Sequence, residues 1–219
     1  MKLERYAGEA VQAADAKNVV APTKIVCIGR NYSEHAKELG NEAPPEPNIF
    51  LKAPTAVLAP GGTIVRPPQS QRVDHEGELA IVIGRRARNV RRNEWRDYVR
   101  GFTCANDVTA RDLQKKDVQY TRAKSFDTFC PVGPHIETEL DVSALRIVTR
   151  VNGAIRQDGN TRDMIFDCGV IFEFITSVMT MLPGDLILTG TPSGVGPLNA
   201  GDVVEVEIQG IGTLRNHVA

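Results

Sequence analysis

Residues 74–84 read Asp-His-Glu-Gly-Glu-Leu-Ala-Ile-Val-Ile-Gly, so that two glutamates stand directly before an apolar run. The run from Leu79 to Ile83 is short, rich in β-branched residues and closed by Gly84, which is typical of a buried strand. Side chains alternate along a strand, so Glu76 and Glu78 leave the same face if the extended backbone reaches back to them. The stretch predicts a buried strand with two carboxylates at its N-terminal end.

A second strand-like segment, residues 101–107, ends in a further acid, Asp107. Three carboxylates that converge to about 4 Å repel one another by roughly 4 kcal/mol per pair at an effective dielectric constant near 20. A bound divalent cation would remove that conflict, so Glu76, Glu78 and Asp107 are candidate oxygen ligands of a metal ion. Taken singly, the acids have another interpretation, in which the glutamates are the polar end of a strand and Asp107 caps a helix that begins at Thr109.

Length and charge limit the classes of protein. The chain has 219 residues, 42% of them hydrophobic, which is enough for one sizeable core with or without a small appendage. The 26 basic and 27 acidic residues give a net charge of −1, so there is no general bias towards nucleic acid or anionic membranes. The arginine-rich stretch 85–100 is interrupted by Glu94 and Asp97, which favours a solvated surface loop and helix.

The four cysteines are widely spaced and form no CxxC pair. Each lies in or beside an apolar segment, where a free cysteine behaves as a small buried hydrophobe. This usage is typical of a reduced, cytoplasmic protein. The first twenty residues carry mixed charges without an apolar signal segment, and no window approaches the roughly 20 apolar residues of a membrane span. We expect a soluble protein without nucleic-acid or membrane partners.

Short apolar runs alternate along the chain with proline and glycine residues, and this pattern predicts a β-rich protein. We expect residues 1–22 to form a short N-terminal lead and residues 23–219 a single catalytic domain. The expected strands are 24–29, 48–52, 79–85, 102–107, 132–136, 145–151, 186–189, 203–208 and 212–215. The Asn-Gly pair at 152–153 indicates a two-residue hairpin. The expected helices are 31–39, 93–99, 109–118 with Thr109 as its cap, and 165–181.

Two further groups of side chains have catalytic potential. Lys124 precedes the aromatic segment Ser-Phe-Asp-Thr-Phe-Cys-Pro, and a lysine beside a metal could stabilise an enolate or carboxylate oxygen. His35 and Glu38 are spaced i, i+3 and share a face of the predicted helix 31–39. Glu38 could orient His35 as a general base towards water. The plain alternative is that this pair lies on an exposed helix surface.

Six segments in sequence order resemble the fumarylacetoacetate hydrolase family, and most closely its short acylpyruvate hydrolase and oxaloacetate decarboxylase-like members. They are GRNYSEHAKELG (29–40), VDHEGELAIVIG (73–84), GFTCANDVTARDLQ (101–114), AKSFDTFCPVGP (123–134), PGDLILTGTPSGVG (183–196) and GDVVEVEIQGIGTLRN (201–216). The resemblance covers nearly everything from Lys24 to Asn216. It implies a mainly β fold with some α, a mixed β-sandwich roll, which is usually a homodimer.

The resemblance also implies roles for individual residues. The metal, Mg²⁺ or Mn²⁺, would be bound by Glu76, Glu78 and Asp107. The water-activating dyad on a lid helix would be His35 and Glu38. Substrate and intermediate would be contacted by Lys124 and Gln114, with Arg30 and Arg111 as carboxylate partners and the hydroxyl of Thr191 at the substrate's carboxylate end.

These roles together imply metal-dependent cleavage of a C–C bond in a small 2-oxo acid. An acylpyruvate or fumarylpyruvate would be hydrolysed by the activated water, and the departing pyruvate enolate would be stabilised by the metal and Lys124. Oxaloacetate would give the same enolate by loss of CO₂. The alternative is a 2-hydroxyhepta-2,4-diene-1,7-dioate isomerase or 5-oxopent-3-ene-1,2,5-tricarboxylate decarboxylase of aromatic-acid catabolism. The third interpretation of the sequence is a non-catalytic scaffold that keeps the fold.

Overall fold

The computed structural model describes residues 21–38 and 44–219, without the side chains of residues 35–37. Within these ranges strands far outnumber helices, and the strands form curled mixed sheets. The prediction of a mainly β fold with some α, of the mixed β-sandwich roll type, is confirmed. The division at residue 22 stays a prediction, since residues 1–20 lie outside the described ranges.

A seven-stranded sheet carries the centre of the molecule. Its strands are β1 (Ile25–Gly29), β2 (Asn48–Lys52), β3 (Val57–Leu58), β6 (Gly77–Ile83), β7 (Val99–Asn106), β9 (Cys130–Glu137) and β12 (Leu186–Leu188), in the spatial order β2-β1-β12-β6-β7-β9-β3. The pairs β1–β12 and β3–β9 are parallel, and the other neighbours are antiparallel. In the central pair β6–β7, Gly77 lies opposite Asn106.

Two smaller sheets complete the strand framework. The five-stranded sheet has the order β11 (Ala154–Asn160), β10 (Arg146–Val151), β14 (Val203–Ile208), β15 (Gly212–Val218) and β4 (Thr63–Ile64). The three-stranded sheet has the order β13 (Gly196–Pro197), β5 (Val73–His75) and β8 (Thr109–Ala110). The predicted hairpin joins β10 to β11, and Asn152 and Gly153 have φ values of 53° and 78°, as a tight hairpin turn requires.

Strand β6 is buried along its whole length, which explains its continuous apolar sequence. Ala80 and Val82 belong to one hydrophobic cluster, whereas Leu79, Ile81 and Ile83 belong to another. The second cluster also contains residues of the five-stranded sheet and of the helix Cys168–Val178. The seven-stranded sheet is therefore covered by apolar side chains on both faces.

The helices are short and partly differ from the predictions. They are α1 (Ser33–Glu38), α2 (Arg111–Lys116), α3 (Thr121–Lys124) and α4 (Cys168–Val178). The helix predicted over 109–118 was wrong at its start, because Thr109 pairs with Asp74 in a β-bridge and donates its hydroxyl to the carbonyl of Asp107 at 2.8 Å. The helix predicted over 93–99 is only a 3₁₀ turn, Trp95–Tyr98. None of the described helices is long and apolar enough to cross a membrane.

Candidate metal centre

Three acids meet where the central strands begin and end. Glu78 lies on β6, Glu76 directly before it, and Asp107 directly after β7. Backbone contacts fix this junction, because the Glu76 amide donates to the Asn106 side chain at 2.9 Å and the Asp107 amide donates to the Glu76 carbonyl at 2.8 Å. One carboxylate oxygen from each acid lies within 4.8 Å of the other two, and all three residues are buried. The structure thus brings the three predicted ligands together.

Two buried lysines contact this triad of Glu76, Glu78 and Asp107. Lys124 Nζ lies 2.8 Å from Glu76 Oε2 and 2.6 Å from Asp107 Oδ2. Lys52 Nζ lies 2.5 Å from Asp107 Oδ1 and 3.2 Å from the Val108 carbonyl. Burial lowers the pKa of Lys124, but the carboxylates of Asp107 and Glu76 outweigh it and raise that pKa above its ordinary value. Both ammonium groups therefore belong to the charge balance of the site.

Arg111 connects the triad to a second buried acid. Its Nη2 donates to Glu76 Oε1 at 2.6 Å and its Nε to Asp74 Oδ2 at 2.9 Å, while its Nη1 donates to Gln114 Oε1 at 2.7 Å. Asp74 also accepts a hydrogen bond from Arg72 at 2.9 Å. Burial lowers the pKa of Arg111, yet Glu76 and Asp74 raise it on balance. The guanidinium predicted as a carboxylate partner is thus held by two acids of the protein.

Glu78 is supported separately by the glycine loop after β12, which comprises residues 189–194. The Gly190 amide donates to Glu78 Oε2 at 2.6 Å. Gly190 has φ +97°, and a Cβ there would lie 2.8 Å from the Asn31 side chain, so the loop needs glycine at this point. Burial, with the neighbouring carboxylates of Asp107 and Glu76, raises the pKa of Glu78 well above its ordinary value.

The triad lies in a cavity of about 300 Å³. Arg30, which follows β1 with φ 60°, lines the cavity together with Gln114 and Thr191. The structure therefore places these three predicted substrate contacts around the acids. Lining residues that were not predicted as site residues are Ile28, Gly29, Asn48, Phe50, Lys115 and Tyr120.

Phe50 and Lys52 lie on the same strand, β2, and both reach the site. The Phe50 ring packs edge-on against Tyr120 and lies 5.1 Å from the Lys124 ammonium. The one sequence signal for Lys52 was its position directly after the apolar run Ile-Phe-Leu (49–51). A lysine buried at the end of such a strand requires an acid partner.

The short helix α1 is joined to the glycine loop. The Gly194 amide donates to the Glu38 carboxylate at 3.1 and 3.2 Å. Glu38 lines a small cavity of about 240 Å³ with Arg72, Arg111, Lys115 and Val195. The side chain of His35 lies outside the described residues. The predicted dyad of His35 and Glu38 therefore stays a prediction.

The donor set of the triad fits a hard divalent cation. All three side chains offer carboxylate oxygens, which are the ligands that Mg²⁺ and Mn²⁺ prefer, and the group contains no softer sulfur or imidazole donor. The alternative that Asp107 serves as a helix cap is wrong, because α2 begins at Arg111 with Ala110 as its N-cap and without a side-chain cap. The Asp107 carboxylate instead contacts Lys52 and Lys124. The triad could thus bind a divalent metal.

Comparison with known proteins identifies the class to which this fold and this site belong. Residues 24–219 match the fumarylacetoacetate (FAA) hydrolase C-terminal family, so the chain belongs to that family. It is 46% identical over 197 residues to the mitochondrial oxaloacetate decarboxylase of Dictyostelium discoideum, covering 87% of this chain and 90% of that protein. It is 42% identical over 212 residues to the mitochondrial oxaloacetate tautomerase FAHD2A of Bos taurus, covering 91% of this chain and 68% of that protein.

Solved structures agree with this assignment. The crystal structure of 2-hydroxyhepta-2,4-diene-1,7-dioate isomerase from Mycobacterium marinum superposes with a TM-score of 0.86 at 50% identity, covering 92% of this chain and 76% of that chain. The predicted family is confirmed. The relatives are named for different reactions of small acids, and these names support an enzyme without specifying its reaction.

Proposed function

We propose that the protein is a divalent-metal-dependent enzyme that cleaves a C–C bond in a small 2-oxo acid and releases pyruvate through its enolate. The observation that carries the proposal is the buried ammonium of Lys124 between Glu76 and Asp107, beside three carboxylates suited to a metal. An enolate needs a fixed positive charge at its developing oxygen, and a buried, preorganised cation supplies it without reorganisation.

The residues around the cavity have separate tasks in this proposal. Glu76, Glu78 and Asp107 would hold Mg²⁺ or Mn²⁺, which when bound would act as a Lewis acid on the 2-oxo acid. Lys124 stabilises the negative charge that develops as the C–C bond breaks. Arg30, Arg111, Gln114 and Thr191 contact the substrate in a cavity whose volume of about 300 Å³ suits a small acid.

Hydrolysis of an acylpyruvate or fumarylpyruvate additionally requires an activated water. In this hydrolysis His35, oriented by Glu38, takes a proton from water as the water oxygen attacks the distal carbonyl. The C–C bond then breaks to give a carboxylic acid and the enolate of pyruvate, which takes up a proton. The hydrogen bond from the Gly194 amide to Glu38 supports the hydrolytic reaction, because it anchors the helix that carries His35 and Glu38.

Decarboxylation of oxaloacetate uses the same enolate without the attacking water. The C–C bond to the distal carboxylate breaks, CO₂ leaves, and the electron pair remains on the enolate. The 46% identity to the Dictyostelium discoideum oxaloacetate decarboxylase supports decarboxylation as the reaction. His35 has no role in bond cleavage here.

A second candidate is a proton shift without C–C cleavage. The names of the Mycobacterium marinum isomerase and the Bos taurus tautomerase favour it. One deprotonation next to the keto group and reprotonation elsewhere would interconvert keto and enol forms, or the isomers of an unsaturated 2-hydroxy dicarboxylate. A homodimer and a cytoplasmic location, expected from the resemblance and from cysteine usage, complete the proposal.

The test is turnover of acetylpyruvate and oxaloacetate side by side, with Mg²⁺ or Mn²⁺ and then with excess EDTA. We expect metal-dependent loss of at least one substrate with pyruvate as product. His35→Ala should reduce acetylpyruvate hydrolysis far more than oxaloacetate decarboxylation. Interconversion of enol and keto oxaloacetate without pyruvate would favour the second candidate. Absence of metal-dependent turnover would contradict the proposal and favour the interpretation as a non-catalytic scaffold.

A further inference from the structure

Gln157 is a buried glutamine on β11 whose amide joins three segments around the site. It is only 1% exposed. Its Oε1 accepts a hydrogen bond from the Gly77 amide at 3.0 Å and lies 3.2 Å from His75 Nδ1. Its Nε2 donates to Thr191 Oγ1 at 2.7 Å and to the Pro192 carbonyl at 2.8 Å. The hydrogen-bonding capacity of this amide is therefore fully used.

The backbone determines which way the Gln157 amide points. The Gly77 N–H can only donate, so the atom that faces it must be the carbonyl oxygen. The Pro192 carbonyl can only accept, so the atom that faces it must be the NH₂ group. A flipped amide would place two donors together at Gly77 and two acceptors together at Pro192. Nε2 therefore donates to Thr191.

The Thr191 hydroxyl consequently has a fixed polarity. It accepts from Gln157, and its single hydrogen is donated to the Gly77 carbonyl at 2.8 Å. A hydroxyl has one hydrogen and two lone pairs, so only one lone pair remains. Thr191 lines the cavity of the acidic triad. Any hydrogen bond between this hydroxyl and a ligand must then be donated by the ligand.

We infer that Gln157 is a positioning residue that holds the Thr191 hydroxyl as a hydrogen-bond acceptor, so that Thr191 selects an O–H or N–H donor on the bound acid. The inference rests on the proposed function. It differs from the role that the family resemblance implies, in which this hydroxyl meets the substrate's carboxylate end. An ionised carboxylate has no hydrogen to offer, so the carboxylate lies against cationic groups such as Arg30, and an enol or hydroxyl group lies at Thr191.

Two small acids of nearly equal shape can test this polarity. Oxalate presents only acceptor oxygens, whereas oxamate replaces one carboxylate by an amide whose N–H groups donate. Isothermal titration calorimetry of the Mg²⁺-loaded protein gives the dissociation constant of each compound. The ratio of the two constants, compared between variants, removes the effect of their different charges.

Thr191→Val keeps the shape of the side chain and removes the hydroxyl. We expect oxamate to bind about three- to tenfold more weakly, as for the loss of one hydrogen bond, and oxalate to bind as before or more tightly. Thr191→Ser should restore the wild-type ratio. Gln157→Met frees the Thr191 hydroxyl to turn, and the ratio should shift about threefold or more in favour of oxalate. The exposed glutamine variant Gln209→Met is the matched control and should leave the ratio unchanged.

The outcomes separate this inference from the proposed function. If Thr191→Val weakens oxalate as much as oxamate, or more, the hydroxyl donates to a carboxylate and the inference is overturned. Since that comparison needs only the Thr191 variants, it stands even if Gln157→Met does not fold. If wild-type protein with Mg²⁺ binds neither compound, the result contradicts the proposed function, and the inference that rests on it is contradicted as well.

Discussion

The ammonium of Lys52 lies 2.5 Å from Asp107 Oδ1, and both side chains are buried. The two residues are 55 positions apart in the chain and are brought together by strands β2 and β7 of the same sheet. Removing one member of a buried ion pair leaves the other charge without compensation, which costs far more than the loss of a surface pair.

Lys52→Met is therefore expected to lower the free energy of unfolding by about 3–5 kcal/mol, because Asp107 keeps its burial and loses one of its two ammonium partners. Urea denaturation followed by circular dichroism measures this change. Lys116→Met, at an exposed lysine of α2, should change stability by no more than about 0.5 kcal/mol. Equal stability of the two variants would show that Lys52 does not compensate Asp107.

Glu78→Gln should abolish stabilisation by Mg²⁺. An amide oxygen can still accept from the Gly190 amide, but one of the three carboxylate charges is lost. Ligand at 100 times its dissociation constant stabilises a protein by about 2.7 kcal/mol, so the wild type should show a clear metal-dependent rise in Tm.

In EDTA the Glu78→Gln variant should be at least as stable as wild type, because burial and neighbouring acids raise the pKa of Glu78 and make its charge costly. Thermal melts with Mg²⁺ and with EDTA measure both effects. Glu139→Gln, at an exposed position, is the control. A Mg²⁺-induced rise in Tm that survives in Glu78→Gln would remove Glu78 from the ligand set.

Asp185→Asn tests a pH-dependent anchor at the start of β12. The Asp185 carboxylate accepts from the Thr23 amide at 2.8 Å, from the Leu182 amide at 2.8 Å and from Lys24 Nζ at 2.5 Å. Burial would raise its pKa, but these hydrogen bonds outweigh burial and hold the pKa below its usual value. A carboxyl with a depressed folded-state pKa adds stability above its unfolded pKa of about 3.9, and this stability is lost as the pH falls through the folded value.

The variant should therefore be about 1–3 kcal/mol less stable than wild type at pH 7, and the difference should shrink as the pH falls below about 4. Urea denaturation across this pH range gives the two curves. Asp97→Asn, at an exposed aspartate, should follow wild type. A difference that stays constant with pH would mean that the charge of Asp185 does not matter.

Gly190→Ala should weaken both the fold and the metal centre. The new Cβ would be held at φ +97° and would lie 2.8 Å from Asn31 Cβ, so the loop must move and take the amide away from Glu78. Gly201 offers a matched control, since its φ is +89° and nothing lies within 4 Å of a Cβ there.

Strain alone should cost Gly201→Ala about 1–2 kcal/mol without changing the Mg²⁺-induced rise in Tm. Gly190→Ala should lose more stability than that and should also reduce the rise. Thermal melts of both variants with and without Mg²⁺ make the comparison. Identical behaviour of the two variants would contradict a role for Gly190 in holding Glu78.

Most strands of the seven-stranded sheet could be predicted from the sequence, because burial makes their residues continuously or alternately apolar. The mostly exposed strand β11 was expected only through its hairpin turn. Strands β2 and β14 have the predicted bounds, and β6 was recognised from its apolar run. The two-residue strands Thr63–Ile64 and Gly196–Pro197 could not be predicted, since so few residues have no periodicity and their pairing depends on distant partners.

The candidate site was predictable to the extent that it lies within local motifs. Glu76 and Glu78 flank Gly77 at the start of β6, and their convergence with Asp107 follows from the pairing of β6 with β7. Lys52 was missed because its partner is remote in sequence, and Gln157 because a single glutamine in a polar strand carries no local signal. Thr109 was taken for a helix cap because threonine is common at that position. In the structure it is extended, and its hydroxyl donates to the Asp107 carbonyl instead.

The cations around the triad have a consequence for the order of binding. The three acids and Asp74, which shares Arg111 with them, carry a formal charge of −4. Their cationic partners Lys52, Lys124, Arg111 and Arg72 carry +4, so this connected group of side chains is formally neutral as folded. A divalent cation added to it leaves a charge of +2, which matches a doubly ionised acid such as oxaloacetate. Metal and a dianionic acid should thus bind synergistically, each raising the affinity of the protein for the other by the same factor.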